Sequence, residues 1–159
     1  MLKEGWVCFK MKKIIFVCLG NICRSPMAEM IMDELISQQG LSDALKVESR
    51  ATSTYEIGNT PHSGAIEELK RHKVPVIEHR AKQITTSDFK NADLVIGMDK
   101  QNIIDLKQLA PIKDQSKIHL AFESLDKDSE IQDPWYDHKF DRTYQQLMLV
   151  LPAWLKKLE

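Results

Sequence analysis

The chain reads as a single α/β domain, a parallel sheet with helices on both faces. Three observations predict this. Short apolar runs alternate with segments whose apolar residues recur at helical spacing. Such alternation builds parallel strands joined by helical crossovers, which cover the sheet on both sides. The 159 residues are enough for one hydrophobic core, and no linker, repeat or low-complexity run divides them.

The elements follow in order. Lys13 to Cys18 is a short apolar run that ends in a loop, a buried first strand. Ser25 to Gln39 carries Met27, Met30, Ile31, Leu35 and Ile36 near helical spacing. Ser25 is expected to cap this helix, Pro26 to occupy its first position and Gly40 to stop it. Leu45 to Ala51 is the second strand. Pro61 to His72 is a helix with Ile66 and Leu69 inward, and Ser87 to Asn91 a short one. Leu94 to Met98 is the third strand. Asp99 to Ala110 is a helix with Ile103, Ile104 and Leu106, stopped by Pro111. Lys117 to Leu120 is a fourth short strand. Phe140 to Leu158 is a long final helix that Pro152 is expected to bend.

Composition narrows the function classes. A formal net charge of −1 argues for neither nucleic acid nor a membrane surface as partner. No apolar run is long enough to span a bilayer. Met1 to Trp6 lacks the apolar core of a signal peptide, so a cytoplasmic location is expected. Residues Met1 to Lys10 are expected to form a poorly ordered extension before a domain running from Met11 to Glu159. Cys8, Cys18 and Cys23 are odd in number and make no disulfide framework. Metal-ligand spacings are missing from the sequence, and no metal or other cofactor is expected.

The chemistry concentrates in Cys18-Leu19-Gly20-Asn21-Ile22-Cys23-Arg24-Ser25-Pro26. A loop of this length between a strand and a helix can surround a tetrahedral anion without excess ordering entropy. Its backbone N–H groups converge on the anion, as in nests and at helix N-termini. Arg24 can clamp two phosphate oxygens with its planar fork. Cys18 then lies under the phosphorus, where the same positive field favours its thiolate, the reactive form. Gly20 and Asn21 suit the unusual dihedrals of a tight cradle. Ser25 can also donate to the thiolate. The loop follows the carboxyl end of the first strand, where parallel α/β sheets bind ligands.

These residues resemble the low-molecular-weight protein tyrosine phosphatases. The likeness extends to Ser49–Asn59, to His79–Thr85, to Gly97-Met98-Asp99 and to Asp133-Pro134-Trp135-Tyr136, and covers the chain from Met11 onward. It implies a four-stranded sheet in flavodoxin-like order and hydrolysis of phosphotyrosine in a protein substrate through a cysteinyl-phosphate. Cys18 would be the nucleophile. Arg24 and the loop from Leu19 to Ser25 would bind phosphate, with Gly20, Asn21, Ile22 and Cys23 between them. Asp133 alone could be a turn residue before proline; the resemblance makes it the general acid. Tyr55, Trp135 and Tyr136 could be ordinary packing aromatics; the resemblance makes them cleft walls, with Trp135 standing where many relatives carry tyrosine. Asn21, Ser25, Ser49 and His79 resemble a network supporting the loop, and Asp99 a carboxylate behind it. Cys23 is either a small packed residue or, as the resemblance implies, the redox partner of Cys18.

Other readings fit less well. A thioredoxin-coupled arsenate reductase shares the loop but needs relay cysteines downstream, and none follows Cys23. A non-catalytic phosphotyrosine-binding module would lack the nucleophile or the acid, and Cys18 and Asp133 are both present. The arginine-phosphatase branch typically has threonine where Ile22 stands. A cysteine phosphocarrier would not need both Arg24 and Asp133. The sequence names neither the phosphoprotein substrate nor an oligomeric state.

Overall fold

The computed structural model describes residues 11–159. The expected N-terminal extension, Met1 to Lys10, lies outside the described residues. The strands are β1 (Lys12–Cys18), β2 (Leu45–Ala51), β3 (Leu94–Gly97) and β4 (Ile118–Leu120). They form one parallel sheet in the order β2-β1-β3-β4, the flavodoxin-like arrangement. The helices are α1 (Arg24–Gln38), α2 (Ser63–Arg71), α3 (Thr86–Asn91), α4 (Lys100–Leu109) and α5 (Phe140–Leu158). Among the described residues no helix is long and apolar enough to cross a membrane.

The central strand β1 shows why the sheet is covered twice. Its side chains alternate across the sheet. Ile14 and Phe16 pack into one core with Met27 and Ile31 of α1 and Leu147 and Leu151 of α5. Ile15 and Val17 face a second core with Phe89 of α3, Val95 of β3 and Leu106 of α4. Cys18 ends the strand, paired across to Ala51 of β2, one residue beyond the last β3 pair, Val17 with Gly97.

Helix ends differ from the sequence reading for local reasons. Ser25 does not cap α1. The helix begins one residue earlier, Cys23 is its N-cap residue without a side-chain bond, and the Ser25 hydroxyl is engaged with Cys18. Pro26 therefore falls at the third helical position. Its missing N–H is still harmless, because the first helical bond is from Met27 N–H to the Cys23 carbonyl. Gly40 does stop α1: at φ +70° it forms a Schellman closure, Leu41 N–H to Ile36 O at 2.9 Å and Gly40 N–H to Ser37 O at 3.1 Å.

Helix α2 starts at Ser63 rather than Pro61, because the His62 ring takes the cap position. Asp99 caps α4 instead of opening it, in a reciprocal pair with Asn102. Two 3₁₀ turns, Ile112–Lys117 and Ala121–Leu125, flank β4. They are too short for an apolar period to announce them. Helix α5 continues through Pro152 to Leu158.

Candidate active site

The loop after β1 is shaped by Asn21. Its backbone lies in the left-handed region at φ +61°, which asparagine tolerates better than most residues. Gly20, expected to share that role, does not adopt positive φ. Its lack of a side chain admits Glu56 instead: a Cβ there would lie 3.2 Å from Glu56 Cγ. The Asn21 N–H points at Cys18 Sγ at 3.3 Å, and Ser25 Oγ stands 3.1 Å from the same sulfur. Among the described residues the N–H groups of Leu19, Gly20, Ile22 and Cys23 have no backbone acceptor. With the first-turn N–H groups of Arg24 and Ser25 they are left without main-chain partners around the sulfur, as donors that could meet an anion are.

A polar cluster behind the loop holds this shape. Asn21 Nδ2 donates to Ser25 Oγ at 2.8 Å and to Ser49 Oγ at 3.0 Å. Its Oδ1 accepts from Lys82 N–H at 3.1 Å, and its carbonyl lies 3.0 Å from His79 Nε2, the protonated nitrogen in this arrangement. Ser49 donates its own proton to Glu29 Oε1 at 2.6 Å. Burial raises the Glu29 pKa, opposed by the Ser49 hydroxyl and Arg50. Burial lowers the His79 pKa, opposed by its bond to the Asn21 carbonyl. His79 thus tends to neutrality, suited to holding a carbonyl.

The Ser25 hydroxyl has one proton and two uses. Besides Cys18 it reaches the Arg50 carbonyl at 3.3 Å. Beside a thiol it can donate to that carbonyl and accept from sulfur. Beside a thiolate it turns its proton to sulfur. A charged sulfur therefore gains a donor without any heavy atom moving.

Arg24 is buried, with 3% exposure, so its charge must be compensated locally. Nη1 donates to Asp99 Oδ2 at 2.7 Å and to the Ile131 carbonyl at 2.9 Å. Burial works against its charge, but Cys18, Asp99 and Asp133 hold its pKa above the ordinary value. Among the described residues Nε makes no hydrogen bond, and Nη2 has only Asp133 Oδ2, at 3.6 Å. One edge of the guanidinium is anchored and the other is free for two oxygens of a ligand.

Asp133 shows a similar division. Oδ1 accepts from Trp135 N–H at 3.0 Å, leaving Oδ2 toward Arg24 and the cleft. The cleft holds about 350 Å³. Its floor is Cys18, Ile22, Cys23 and Arg24, and Leu19 and Gly20 line one side. Tyr55, Glu56, Trp135 and Tyr136 stand at its mouth beside Asp133. Tyr55 is 77%, Tyr136 83% and Trp135 46% exposed, which places them at a rim rather than in a core. Every side chain singled out in the sequence lies in this cleft or against its loop. Glu29, Glu56 and the Ile131 carbonyl were not foreseen. A lone acid one helical turn after Ser25 was the only trace of Glu29. Among the described residues no group of three His, Cys, Asp or Glu is placed to hold a metal ion.

The fold and the cleft define a parallel α/β domain built to hold an oxyanion over a cysteine. Residues 13–159 match the family model described as "Low molecular weight phosphotyrosine protein phosphatase". The human low molecular weight phosphotyrosine protein phosphatase is 41% identical over 152 residues, 92% of this chain and 95% of that protein. The crystal structure of YfkJ from Bacillus subtilis superposes with a TM-score of 0.89 at 34% identity, covering 94% of this chain and 95% of that one. That of SP-PTP, a low molecular weight protein tyrosine phosphatase from Streptococcus pyogenes, gives 0.84 at 43% identity, with 94% of each chain covered. The chain belongs to the low molecular weight phosphotyrosine protein phosphatase family, a family of hydrolases.

Cys18 and Cys23 are both free thiols. Burial, with the negative potential of Cys18 and Asp133, pushes the Cys23 thiol from the ordinary 9.0 up to about 12. Between those values the unfolded chain releases this proton while the folded chain keeps it, so Cys23 removes stability as pH rises through that window. Cys23→Ser, whose hydroxyl does not titrate there, should lose less stability on alkalinisation. Urea midpoints on either side of pH 9.0 measure this; equal declines in wild type and variant would show that Cys23 contributes nothing to it.

Proposed function

We propose that this chain hydrolyses phosphotyrosine monoesters in protein substrates through a covalent phosphate on Cys18. The observation that carries the reading is the convergence of Cys18 Sγ, the free edge of Arg24 and Asp133 Oδ2 on one cleft. The phosphoryl group sits in the loop, its equatorial oxygens on the loop N–H groups and Arg24. The aryl ring passes between Tyr55 and the Trp135–Tyr136 side. Cys18 Sγ attacks phosphorus in line. The P–O bond breaks, and the phenolic oxygen takes the proton carried by Asp133 Oδ2. The resulting carboxylate removes a proton from water as that water attacks phosphorus. The S–P bond breaks, and inorganic phosphate and the thiolate are regenerated.

Ile22 supports an aryl ester over phosphoarginine. It lines the cleft with an apolar side chain where a guanidinium would need a polar partner. Cys23, held as a thiol, does not compete for phosphorus. It is suited to protecting the nucleophile. After peroxide converts the Cys18 thiolate to a sulfenic acid, the Cys18 charge that helped hold Cys23 protonated is gone; the Cys23 sulfur gives up its proton and attacks the Cys18 sulfur, and that proton leaves with the sulfenic hydroxyl as water, closing a disulfide. Turnover needs Cys18 reduced, which suits a reducing compartment such as the cytoplasm.

Three measurements test this reading. Cys18→Ser should lower p-nitrophenyl phosphate turnover, without added metal, by at least about a thousandfold while phosphate still binds. Substantial residual activity would remove Cys18 from the role of nucleophile. Asp133→Asn should cost roughly a hundredfold on phenyl phosphate, and much less on p-nitrophenyl phosphate, whose leaving group departs without a proton. A slope of log turnover against leaving-group pKa no steeper than wild type would assign the acid elsewhere. Peroxide-treated enzyme should yield a Cys18–Cys23 linked peptide and recover with dithiothreitol, and Cys23→Ser should recover less. Full recovery of that variant would deny Cys23 a protective role, and a linked pool in unstressed cells would contradict the reducing location.

A further inference from the structure

His62 stands between the two loops of the site. Its backbone N–H donates to the Ile22 carbonyl at 2.8 Å, which ties it to the phosphate-binding loop. Its Nδ1 accepts from Gly64 N–H at 2.9 Å, which caps α2 and fixes the ring. Phe140 stacks on that ring at 5.0 Å between centroids and 28° between planes. Trp135 meets it edge-on at 5.7 Å and 80°, a favourable aromatic geometry. Gly64 makes room for the stack, since a Cβ there would lie 2.2 Å from Phe140 Cε2.

Trp135 is otherwise weakly held. The segment from Gln132 to Lys139 has no helix or strand, and Trp135 is 46% exposed. Its anchors lie to either side: Gln132 N–H on Gln146 Oε1 at 3.1 Å, His138 N–H on the Pro134 carbonyl at 2.8 Å, and the Asp137–Arg142 pair at 2.8 Å. Among the described residues His62 supplies the one aromatic contact to the Trp135 ring. The Trp135 N–H in turn grips Asp133 Oδ1 at 3.0 Å. The ring that meets His62 and the N–H that holds the Asp133 carboxyl group thus belong to one residue.

We propose that His62 is a positioning residue for Asp133: through the Trp135 ring it registers the acid-bearing segment against the loop that holds the phosphate. The inference rests on the reading of Asp133 as the general acid. His62 touches neither the nucleophile nor the phosphate, so its loss should fall on the two proton transfers of Asp133, of which only the first, in cysteinyl-phosphate formation, depends on the leaving group.

The test compares His62→Asn, which keeps a side-chain cap on α2 but removes the ring, with His62→Phe, which keeps the ring face but not the cap. His62→Asn should lower kcat/KM, which runs only as far as cysteinyl-phosphate formation, for phenyl phosphate on the order of tenfold relative to p-nitrophenyl phosphate, as loss of orientation at an acid does. It should steepen the leaving-group dependence, and His62→Phe should recover part of the loss. In Trp135→Ala, adding His62→Asn should change the ratio of the two kcat/KM values no further. An equal fall in kcat/KM on both substrates, no change in either, or additive effects of the two substitutions on their ratio would overturn the proposal. If His62→Asn does not fold, Trp135→Ala and His62→Phe carry the same comparison, and an unchanged ratio in Trp135→Ala overturns it. Asp133→Asn run beside them separates the two levels. If that variant does not steepen the leaving-group dependence, the acid assignment fails. If it does and His62→Asn does not, only the role of His62 fails.

Discussion

The site depends on the backbone of one buried residue, Asn21, held at φ +61°. Left-handed backbone is costly for a residue with a Cβ, and persists when its surroundings over-determine it. Here they do. The main chain and amide of Asn21 make five hydrogen bonds, to Cys18, Ser25, Ser49, Lys82 and His79. Each is worth about 0.5–1.5 kcal/mol when made, and leaving a buried partner unmade costs about 1–3 kcal/mol. The geometry that turns loop N–H groups toward an anion is thus stored in a network reaching from β2 to the segment before α3. Rigidity of this kind lets the donors act on developing charge without reorganising.

Charge is held by the same kind of local compensation. A buried guanidinium is costly unless it is paired and hydrogen-bonded. Arg24 meets both conditions on one edge, through Asp99 and the Ile131 carbonyl, and keeps the other edge for a ligand. The two cysteines of the loop differ by environment alone. Cys18 has a donor at Asn21 N–H and a hydroxyl at Ser25. Cys23, beside the negative potential of Cys18 and Asp133 and away from water, is held as a thiol.

Topology explains why Arg24 and Asp99, 75 residues apart in sequence, meet. Strands β1 and β3 are neighbours, and the chain leaves β1 toward β2 on one side and β3 toward β4 on the other, opening the crevice in which α/β sheets bind ligands. The Cys18 loop follows β1, and Asp99 follows β3 in the neighbouring position. Asp99 caps α4 through one oxygen and binds Arg24 through the other, so the start of a helix and the anchor of the guanidinium are one residue. The Asp133 segment arrives last, leading into α5, which packs across the same face as α1.

The sequence by itself determined the layers and the chemistry. The apolar runs of the central strands β1 and β3, the edge strands β2 and β4 and the helical periods between them specify a parallel sheet, because strands alternating with helices are joined by crossovers that cover both faces. Cys18, Arg24 and Ser25 stand at fixed offsets across one strand–helix junction, so their proximity is local and legible. Tertiary structure decided what depends on partners far along the chain. Ser25 could cap a helix or serve a sulfur, and the burial of Cys18 beside it settled the matter. Gly20 could supply a dihedral or a gap, and Glu56 arriving from after β2 made it a gap. Glu29, Glu56 and His62 carry no periodic signal, since periodicity records which face is buried and not what a polar side chain will meet there. The order β2-β1-β3-β4 brings those partners together, and only the folded sheet contains that information.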